Sequence, residues 1–127
     1  MLITHDTSAL TEDIIGAALE VHRHLGPGLL ESSYQACLGL ELELRGIRYS
    51  PRLPVPLTYK GLQVPRAYVV DLLVDERVVV EIKAVESLLP VHSAQLLTYL
   101  RALEVSCGLL INFHVPVLVK GVRRVLR

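Results

Sequence analysis

The alternation of apolar and polar positions along this chain predicts helices and strands in a definite order. Three segments carry apolar side chains at helical spacing: residues 11–25, 30–45 and 93–105. Runs typical of strands occupy residues 55–59, 62–64, 67–74, 78–85, 108–113 and 117–122. The predicted order is helix, helix, strands, helix, strands. This order indicates an α/β fold with a mixed β-sheet flanked by helices. The helix of residues 93–105 is then a crossover between two strands.

The most apolar stretch, residues 67–85, contains ionisable side chains where a buried hairpin is predicted. The polar triplet 75–77 between two β-branched runs indicates the loop. If these three residues form it, Asp71 lies directly opposite Glu81. Opposed residues share a face of the sheet, and Lys83, two residues beyond Glu81, shares that face as well. The pattern therefore predicts that two carboxylates and an ammonium converge.

Such a convergence is unfavourable without a ligand. Two carboxylates about 5 Å apart repel by roughly 3 kcal/mol at an effective dielectric constant of 20, before any cost of desolvation. A divalent cation between them replaces the repulsion with coordination, and hard oxygen ligands suit Mg²⁺ or Mn²⁺. The alternative is a buried ion pair between Lys83 and one acid, with the other acid exposed at a sheet edge. Both interpretations stay open at this point.

The spacing of these residues is that of a known motif. Asp71, nine intervening residues and then Glu81-x-Lys83 resembles the core motif of the PD-(D/E)xK nuclease superfamily. The resemblance implies an α-β-β-β-α-β core. It also implies a Mg²⁺- or Mn²⁺-dependent phosphodiesterase that acts on nucleic acid, with DNA the expected substrate. Asp71 and Glu81 would then hold the metal ion, and Lys83 would position the attacking water.

A second motif lies upstream of the hairpin. Gly28-x-x-Glu31-x-x-Tyr34 resembles the motif that names the GxxExxY family, a set of small proteins placed in that superfamily. The similarity extends from about residue 13 to the end of the chain, through residues 20–28, 95–100 and 108–113. It implies that Glu31 assists as a third metal ligand. The ordinary alternative is a carboxylate that stabilises the first turn of its own helix.

Three further side chains are candidates for substrate contact. Gln95 and Tyr99 are four residues apart and share a helix face; they resemble the third motif of RecB-type nucleases, which contributes to DNA contact. Their alternative is a partly exposed helix face with a packed tyrosine. His22 lies on the apolar stripe of the first helix, where a hydrogen-bonded core histidine is one interpretation and a substrate contact implied by the resemblance is the other.

Length and composition limit the remaining possibilities. At 127 residues the chain is expected to form one domain, residues 1–127. No apolar run approaches the roughly 20 residues of a membrane span, and without a basic leader a cytoplasmic location is expected. A hydrophobic content of 51% and a mean hydropathy of +0.44 predict an interface, in a homo-oligomer or with a partner protein. Cys37 and Cys107 are expected to be thiols.

The net charge is zero, which argues against a strong non-specific hold on nucleic acid. Five cations form a basic stretch that is a candidate for a phosphate path or for a solvated face: Arg45, Arg48, Arg52, Lys60 and Arg66. The second hypothesis is therefore a nucleic-acid- or protein-binding module that keeps the nuclease fold with little or no catalysis. Metal-dependent cleavage by the purified protein separates the two hypotheses.

Overall fold

The computed structural model describes residues 7–127. The elements are α1 (Ser8–Leu25), α2 (Glu31–Leu44), β1 (Tyr49–Tyr59), β2 (Leu62–Val74), β3 (Val78–Lys83), α3 (Pro90–Leu103), β4 (Cys107–Asn112) and β5 (Val122–Leu126). The five strands form one sheet in the order β1-β2-β3-β4-β5. β3 and β4 pair in parallel and the other neighbours are antiparallel. The α/β class with its mixed sheet, the crossover helix α3 and the α-β-β-β-α-β order are confirmed.

The two central strands are apolar on both faces because helices cover both. β3 and β4 are buried at almost every position, which is usual for parallel strands inside an α/β layer structure. One face packs against α1 and α2 through a core cluster that includes Tyr34, Leu38 and Phe113. The other face packs against α3 through a second cluster that includes Leu96 and Leu100. The sheet therefore separates two cores, and alternate side chains along β3 enter alternate cores.

The β2–β3 hairpin has the predicted loop. Val74 pairs with Val78, so Asp75, Glu76 and Arg77 form the connection. Asp75 and Glu76 both adopt the left-handed conformation, with φ of 50° and 56°, which lets three residues reverse the chain. This register fixes which face each residue of β3 occupies.

The division of the first hairpin into short strands is wrong. β1 runs from Tyr49 and β2 is continuous from Leu62 to Val74, through Pro65. Prolines are tolerated in strands only where no neighbour needs their missing N–H. β1 is an edge strand, and β2 pairs with β3 only over Leu72–Val74, so Pro65 has a free edge beside it. The prolines therefore mark unpaired edges here and do not end the strands.

The strand expected over residues 117–122 is also wrong. Residues Leu118–Gly121 form a 3₁₀ turn, and β5 begins only at Val122. The chain turns closely over β4 at this point, because a Cβ on Gly121 would lie 2.4 Å from the Asn112 carbonyl oxygen. The strand follows the turn and pairs Leu126 with Cys107.

The helices begin earlier than their apolar stripes indicate. α1 begins at Ser8, three residues before the segment predicted from residue 11. α3 begins at Pro90, which occupies its first turn, and not at Ser93. Proline favours the first helical position because its fixed φ is helical and its missing N–H is not needed there. None of the helices within residues 7–127 has the length and apolar character that crossing a membrane requires.

Candidate active site

The two carboxylates of the hairpin replace the backbone ladder where β2 and β3 separate. The backbone register runs from Val74–Val78 to Leu72–Val80. At the next position the Asp71 N–H donates to Glu81 Oε1 at 2.9 Å. The Ile82 N–H donates to Asp71 Oδ2 at 2.8 Å. Each acid therefore accepts a backbone hydrogen bond across the hairpin, and the reciprocal pair fixes both carboxylates beside each other.

Strand parity places the charged side chains toward α3. Val79 belongs to the cluster packed against α3, and the two-residue period of a strand puts Glu81 and Lys83 on the same face. The Asp71 carboxylate accepts a hydrogen bond from the Ile82 N–H beside Glu81, and its charge raises the pKa of Tyr99 on α3. The structure therefore brings the three residues onto one face.

The alternation of β2 changes phase at Asp71. Val70 packs in the α3 cluster, whereas Leu72 packs in the cluster of α1 and α2, although residues two apart in a regular strand share a face. Arg52, opposite Asp71 on β1, has φ of 50°, and the register resumes on both sides of it. Local irregularities of this kind re-aim side chains next to functional sites. Here the irregularity turns Asp71 toward Glu81.

Burial and like charge raise the pKa of both acids. Glu81 is 6% exposed. Burial, followed by the charge of Asp71, raises the pKa of Glu81 to about 8, against the lowering effects of the Asp71 N–H and of Lys83. Burial also raises the pKa of Asp71, while the Ile82 N–H and the charges of Lys83 and Arg52 act in the opposite direction. Converging carboxylates with raised pKa values are typical of sites built to hold something cationic.

Lys83 acts on both acids without pairing with either. Its charge lowers the pKa of Asp71 and of Glu81. Yet none of the ion pairs found within residues 7–127 involves Lys83. The buried Lys83–carboxylate ion pair, the structural alternative, is therefore absent from the described part of the chain. The ammonium lies within electrostatic reach of the carboxylates and is available to another anion.

Glu31 joins the same cluster from the start of α2. Its Oε2 accepts a hydrogen bond from the Ala84 N–H at 2.9 Å, just beyond the end of β3. Its charge raises the pKa of both Asp71 and Glu81. No side chain caps the N-terminus of α2, so this carboxylate connects the helix to the strand and does not cap its own first turn.

The Gly28–Tyr34 motif explains how Glu31 is positioned. The Tyr34 hydroxyl donates to the Gly26 carbonyl at 2.6 Å and accepts from the Leu29 N–H at 3.1 Å. Its ring stacks on Phe113, with 4.4 Å between centroids. Gly28, at φ 104°, supplies a backbone conformation that other residues rarely adopt. The buried tyrosine therefore holds the loop that leads into Glu31.

Tyr99, on α3, lies within electrostatic reach of the carboxylates. Burial, then the charges of Glu81 and Asp71, raises the pKa of Tyr99 to about 12, and Gln95 partly offsets this rise. Tyr99 is buried and packs against Tyr68, with 5.0 Å between ring centroids. Gln95 is exposed at the rim. Tyr99 is packed, as the structural interpretation expects. It also lies near the two acids, as a substrate contact requires.

His22 lies outside this cluster. Its Nε2 is 2.8 Å from the Val115 carbonyl oxygen, and its ring lies 6.3 Å from that of Phe113. No hydrogen bond links it to Asp71, Glu81 or Glu31 within residues 7–127. These contacts match the core histidine interpretation, and a substrate contact by His22 stays a prediction.

Sequence reasoning gave no role to two polar residues near the site. The buried Asn112 accepts from the Val85 N–H at 3.0 Å and donates to the Val85 carbonyl at 2.9 Å, which holds the chain after Lys83. The Gln35 side chain donates to the Asp71 carbonyl at 3.2 Å. A lone amide inside the apolar run of β4 was a usable signal for Asn112. Gln35, on a polar stretch of α2, carried none.

The donor atoms suit a hard cation held by two carboxylates. Asp71 Oδ1, Glu81 Oε2 and Glu31 Oε1 take no part in the hydrogen bonds described above. Within residues 7–127 no three His, Cys, Asp or Glu side chains form a ready-made ligand set. Mg²⁺ is commonly held by one or two carboxylates, with waters and substrate phosphates completing its shell. The Asp71–Glu81 pair fits such an ion, while Glu31 as a third ligand stays a prediction.

Comparison with known proteins identifies a family. Residues 8–125 match the family model described as the PD-(D/E)XK nuclease superfamily. No curated protein and no solved structure matches the chain. The matched range contains every residue of the carboxylate cluster.

Proposed function

The chain belongs to the PD-(D/E)XK nuclease superfamily, and from that premise we propose that it is a nuclease that hydrolyses phosphodiester bonds with a divalent metal ion. Nucleases of this superfamily generally use divalent metals. One observation supports the proposal most. Asp71 and Glu81 are fixed by reciprocal backbone hydrogen bonds, each keeps one oxygen free, and an ammonium without an ion pair lies beside them. Both acids would hold the cation, and Glu31 would assist.

The chemistry follows from how each group is held. A divalent cation, when bound, lowers the pKa of a coordinated water and offsets charge on the phosphate. Asp71 and Glu81 keep fixed positions because backbone N–H groups of the opposite strand hold them, so little reorganisation accompanies binding. Lys83 orients the attacking water and stabilises the charge that develops on the phosphate. Asn112, through its two hydrogen bonds to Val85, holds the segment that follows Lys83.

Tyr99 and Gln95 act on the substrate and not as bases. With a pKa of about 12, the Tyr99 hydroxyl keeps its proton at neutral pH and is a hydrogen-bond donor. Gln95 at the rim offers amide donors to a phosphate or a sugar. These groups contribute to substrate affinity more than to the chemical step.

We further propose the subfamily, metal ion, substrate, location and association state of this nuclease. The chain is a GxxExxY protein, supported by the role of Tyr34 in placing Glu31. Its metal is Mg²⁺, which Mn²⁺ can replace, and its substrate is DNA. Two cysteines without a disulfide, Cys37 and Cys107, are consistent with a cytoplasmic location. Exposed apolar side chains are consistent with a homo-oligomer or a partner protein: Leu30, Leu44, Tyr59, Leu62, Val91 and Leu126.

A second candidate function is a binding module with weak or no catalysis. The observation that favours it is the lack of a ready-made three-ligand set within residues 7–127. Such a module would keep the clamp of Asp71 and Glu81 for its structure, and any metal bound there would have no role in turnover.

A cleavage panel distinguishes the two functions. Purified protein is incubated with single- and double-stranded DNA and RNA in Mg²⁺ and in Mn²⁺. Glu81→Gln serves as the inactive variant, and Asp75→Asn, on the same hairpin, as the matched control. The nuclease proposal expects metal-dependent cleavage of at least one substrate, lost in Glu81→Gln and kept in Asp75→Asn. Protein that binds Mn²⁺ but cuts no substrate, alone or with added partners, overturns it in favour of the binding module.

A further inference from the structure

The β1–β2 hairpin extends well beyond the rest of the sheet. β1 and β2 pair from Tyr49–Val74 to Tyr59–Leu62, with one register shift, but the backbone of β2 pairs with that of β3 only over Leu72–Val74. The six residue steps from Leu53 to Tyr59 correspond to about 20 Å of strand at 3.3 Å per residue. Residues 56–63 are exposed at every position. We call residues 49–74, the part formed by these two strands, the hairpin arm.

The base of the arm adjoins the carboxylate cluster. Leu53, Val55 and Val70 pack against α3 in the second core cluster. Tyr68 packs on Tyr99, whose pKa the charges of both acids raise. The packed base gives the arm a fixed direction relative to the site, and only its outer part is free in solvent.

The arm is cationic because no acid occurs between Glu43 and Asp71. Five basic residues lie in that interval, and two of them are already paired. Arg45 binds Glu41 at 2.8 Å and Arg48 binds Asp75 at 3.1 Å. The other three form no ion pair within residues 7–127: Arg52, Lys60 and Arg66. The unpaired charges are therefore those on the arm itself.

The three unpaired cations are spread along the arm from the site to the tip. Arg52, at φ 50°, is close enough to Asp71 for its charge to lower that acid's pKa. Arg66 lies in the irregular part of β2, between the pairs Val55–Tyr68 and Leu57–Val64, where the register of the two strands shifts. Lys60 lies in the two-residue turn with Gly61, its ammonium 5.4 Å from the centre of the Tyr59 ring. All three side chains are exposed.

We propose that the hairpin arm binds the phosphate backbone of a nucleic acid through Arg52, Lys60 and Arg66 and so leads the strand to the carboxylate cluster. This inference rests on the proposed nuclease function for the identity of the ligand. A line of unpaired cations on a projecting element complements a polyanion, whereas a chain with zero net charge offers no general attraction. The arm is therefore locally positive although the net charge of the chain is zero, because no acid lies between Glu43 and Asp71.

Salt dependence of binding gives the direct test. Each phosphate that a protein neutralises contributes about 0.9 to the slope of log affinity against log salt for duplex DNA, and about 0.7 for single strands. The probes are a fluorescein-labelled duplex and a labelled single strand, each of about 20 nucleotides, measured by anisotropy in chelator so that no cleavage occurs. The test variant carries Arg52→Gln, Lys60→Gln and Arg66→Gln.

A triple variant on the opposite edge of the sheet is the matched control. Lys120→Gln, Arg123→Gln and Arg127→Gln remove the same charge near β5, from exposed residues that form no ion pair within residues 7–127. The proposal expects the arm variant to lower the slope by about 2 to 3 and the control to leave it almost unchanged. Circular dichroism and melting temperature verify that both variants fold.

The possible results separate this inference from the proposed function. The arm inference is overturned if both triple variants change the slope equally, or if wild-type protein shows no binding at 50 mM salt, a condition that favours phosphate contacts. It is also overturned if the arm variant changes only the oligomeric state in sedimentation, which would identify a second copy as the occupant. Arm-dependent binding without cleavage in the panel would support the arm inference and contradict the proposed nuclease function. Cleavage with the same KM in wild type and in the arm variant would support the nuclease function and contradict the arm inference.

Discussion

Asp71 and Asp75 lie four residues apart on one hairpin, and their surroundings give them opposite properties. Asp75 receives hydrogen bonds from Arg48 and Arg77, which lower its pKa. Asp71 is buried beside Glu81, and its pKa is raised. The loop aspartate is a surface ion pair that needs nothing further. The strand aspartate is held by a backbone N–H next to a second acid, so a cation satisfies it better than the protein alone does.

The comparison teaches that residue type does not identify a site, whereas the balance of its neighbours does. Two arginines surround Asp75. Around Asp71 there are two acids, with Lys83 and Arg52 within reach but not in contact as ion pairs. A surface ion pair contributes little to stability, while uncompensated buried charge is unfavourable and persists where function requires it. In the predictions that follow, Asp75→Asn is the counterpart of Asp71→Asn.

Catalysis should show the largest difference. Lys83→Ala and Asp71→Asn should each lower kcat by about 1,000-fold or more, because the ammonium and the cation act on charge that develops in the transition state. Asp75→Asn should keep kcat within about 2-fold. Single-turnover cleavage measures the chemical step directly. Equal losses at Asp71 and Asp75 would mean that hairpin stability, and not the carboxylate cluster, controls activity.

Lys83→Ala should leave metal and nucleic-acid binding nearly intact, because its proposed role is confined to the transition state. Titration of Mn²⁺ and of a labelled duplex into the variant measures both affinities. A loss of metal affinity as large as the loss of kcat would place Lys83 in binding and contradict that role.

Metal-linked stability should differ next. At a Mg²⁺ concentration about 100-fold above Kd, binding stabilises the folded protein by about 2.7 kcal/mol, a rise in melting temperature on the order of 10 °C for a domain of this size. Asp71→Asn should abolish this rise and Asp75→Asn should retain it. Thermal unfolding in Mg²⁺ and in chelator gives both numbers. An undiminished rise in Asp71→Asn would put the cation elsewhere.

The stability of the protein in chelator should depend on pH in opposite directions through Glu81 and through Asp75. The pKa of Glu81 is raised from 4.5 to about 8 on folding, so the folded state holds a proton that the unfolded state has released. Stability should therefore fall as pH rises from about 4.5 to about 8. Glu81→Gln removes this fall, so its advantage over wild type should grow across that window. Urea unfolding at pH 5 and pH 8 measures it.

Asp75 should behave differently in the same window. Its pKa is lowered on folding, so its contribution is present above the unfolded pKa and is lost only as pH falls through the folded pKa, below pH 5. Asp75→Asn should cost a few tenths of a kcal/mol, equally at pH 5 and pH 8. Asp71→Asn should instead stabilise the protein at pH 8 by about 1 kcal/mol. A pH-independent loss of stability in Asp71→Asn would favour a structural ion pair.

The smallest effects should come from α3. Tyr99→Phe and Gln95→Ala should raise KM a few-fold and change kcat little, because their proposed contacts are to bound substrate in both ground and transition states. Thr98→Ala is the control, because this residue lies on the same helix and its hydroxyl donates to the Ala94 carbonyl. A loss of kcat without change in KM would instead assign Tyr99 to the chemical step.

The hairpin and its acids were predictable because their signals are local. Two β-branched runs with a polar triplet between them were sufficient to pair Val74 with Val78. That register, with the two-residue period of a strand, predicts that Asp71 and Glu81 lie close together. The same rules failed at Pro65, because whether a proline ends a strand depends on which neighbour is present, and that is a property of the whole sheet. They failed again at Gly121, where close approach to Asn112 bends the chain before β5.

The candidate site divides in the same way. Asp71, Glu81, Lys83 and Glu31 could be singled out from motif spacing, and the structure brings them together. The repulsion between the two acids was predicted, but their reciprocal hydrogen bonds to the backbone were not, because these replace a ladder position that sequence alone would make regular. Arg52 was a candidate for a phosphate path, but its place beside Asp71 could not be foreseen, because its left-handed backbone lies opposite the phase change of β2.

The most direct test is the position of the cation itself. Crystals of the protein soaked in Mn²⁺ give an anomalous difference map that locates the ion independently of activity. The account predicts a peak roughly 2.2 Å from Asp71 Oδ1 and from Glu81 Oε2, lost in Asp71→Asn and kept in Asp75→Asn. A protein that binds no ion between these two carboxylates, or that binds it only at Asp75, would contradict it.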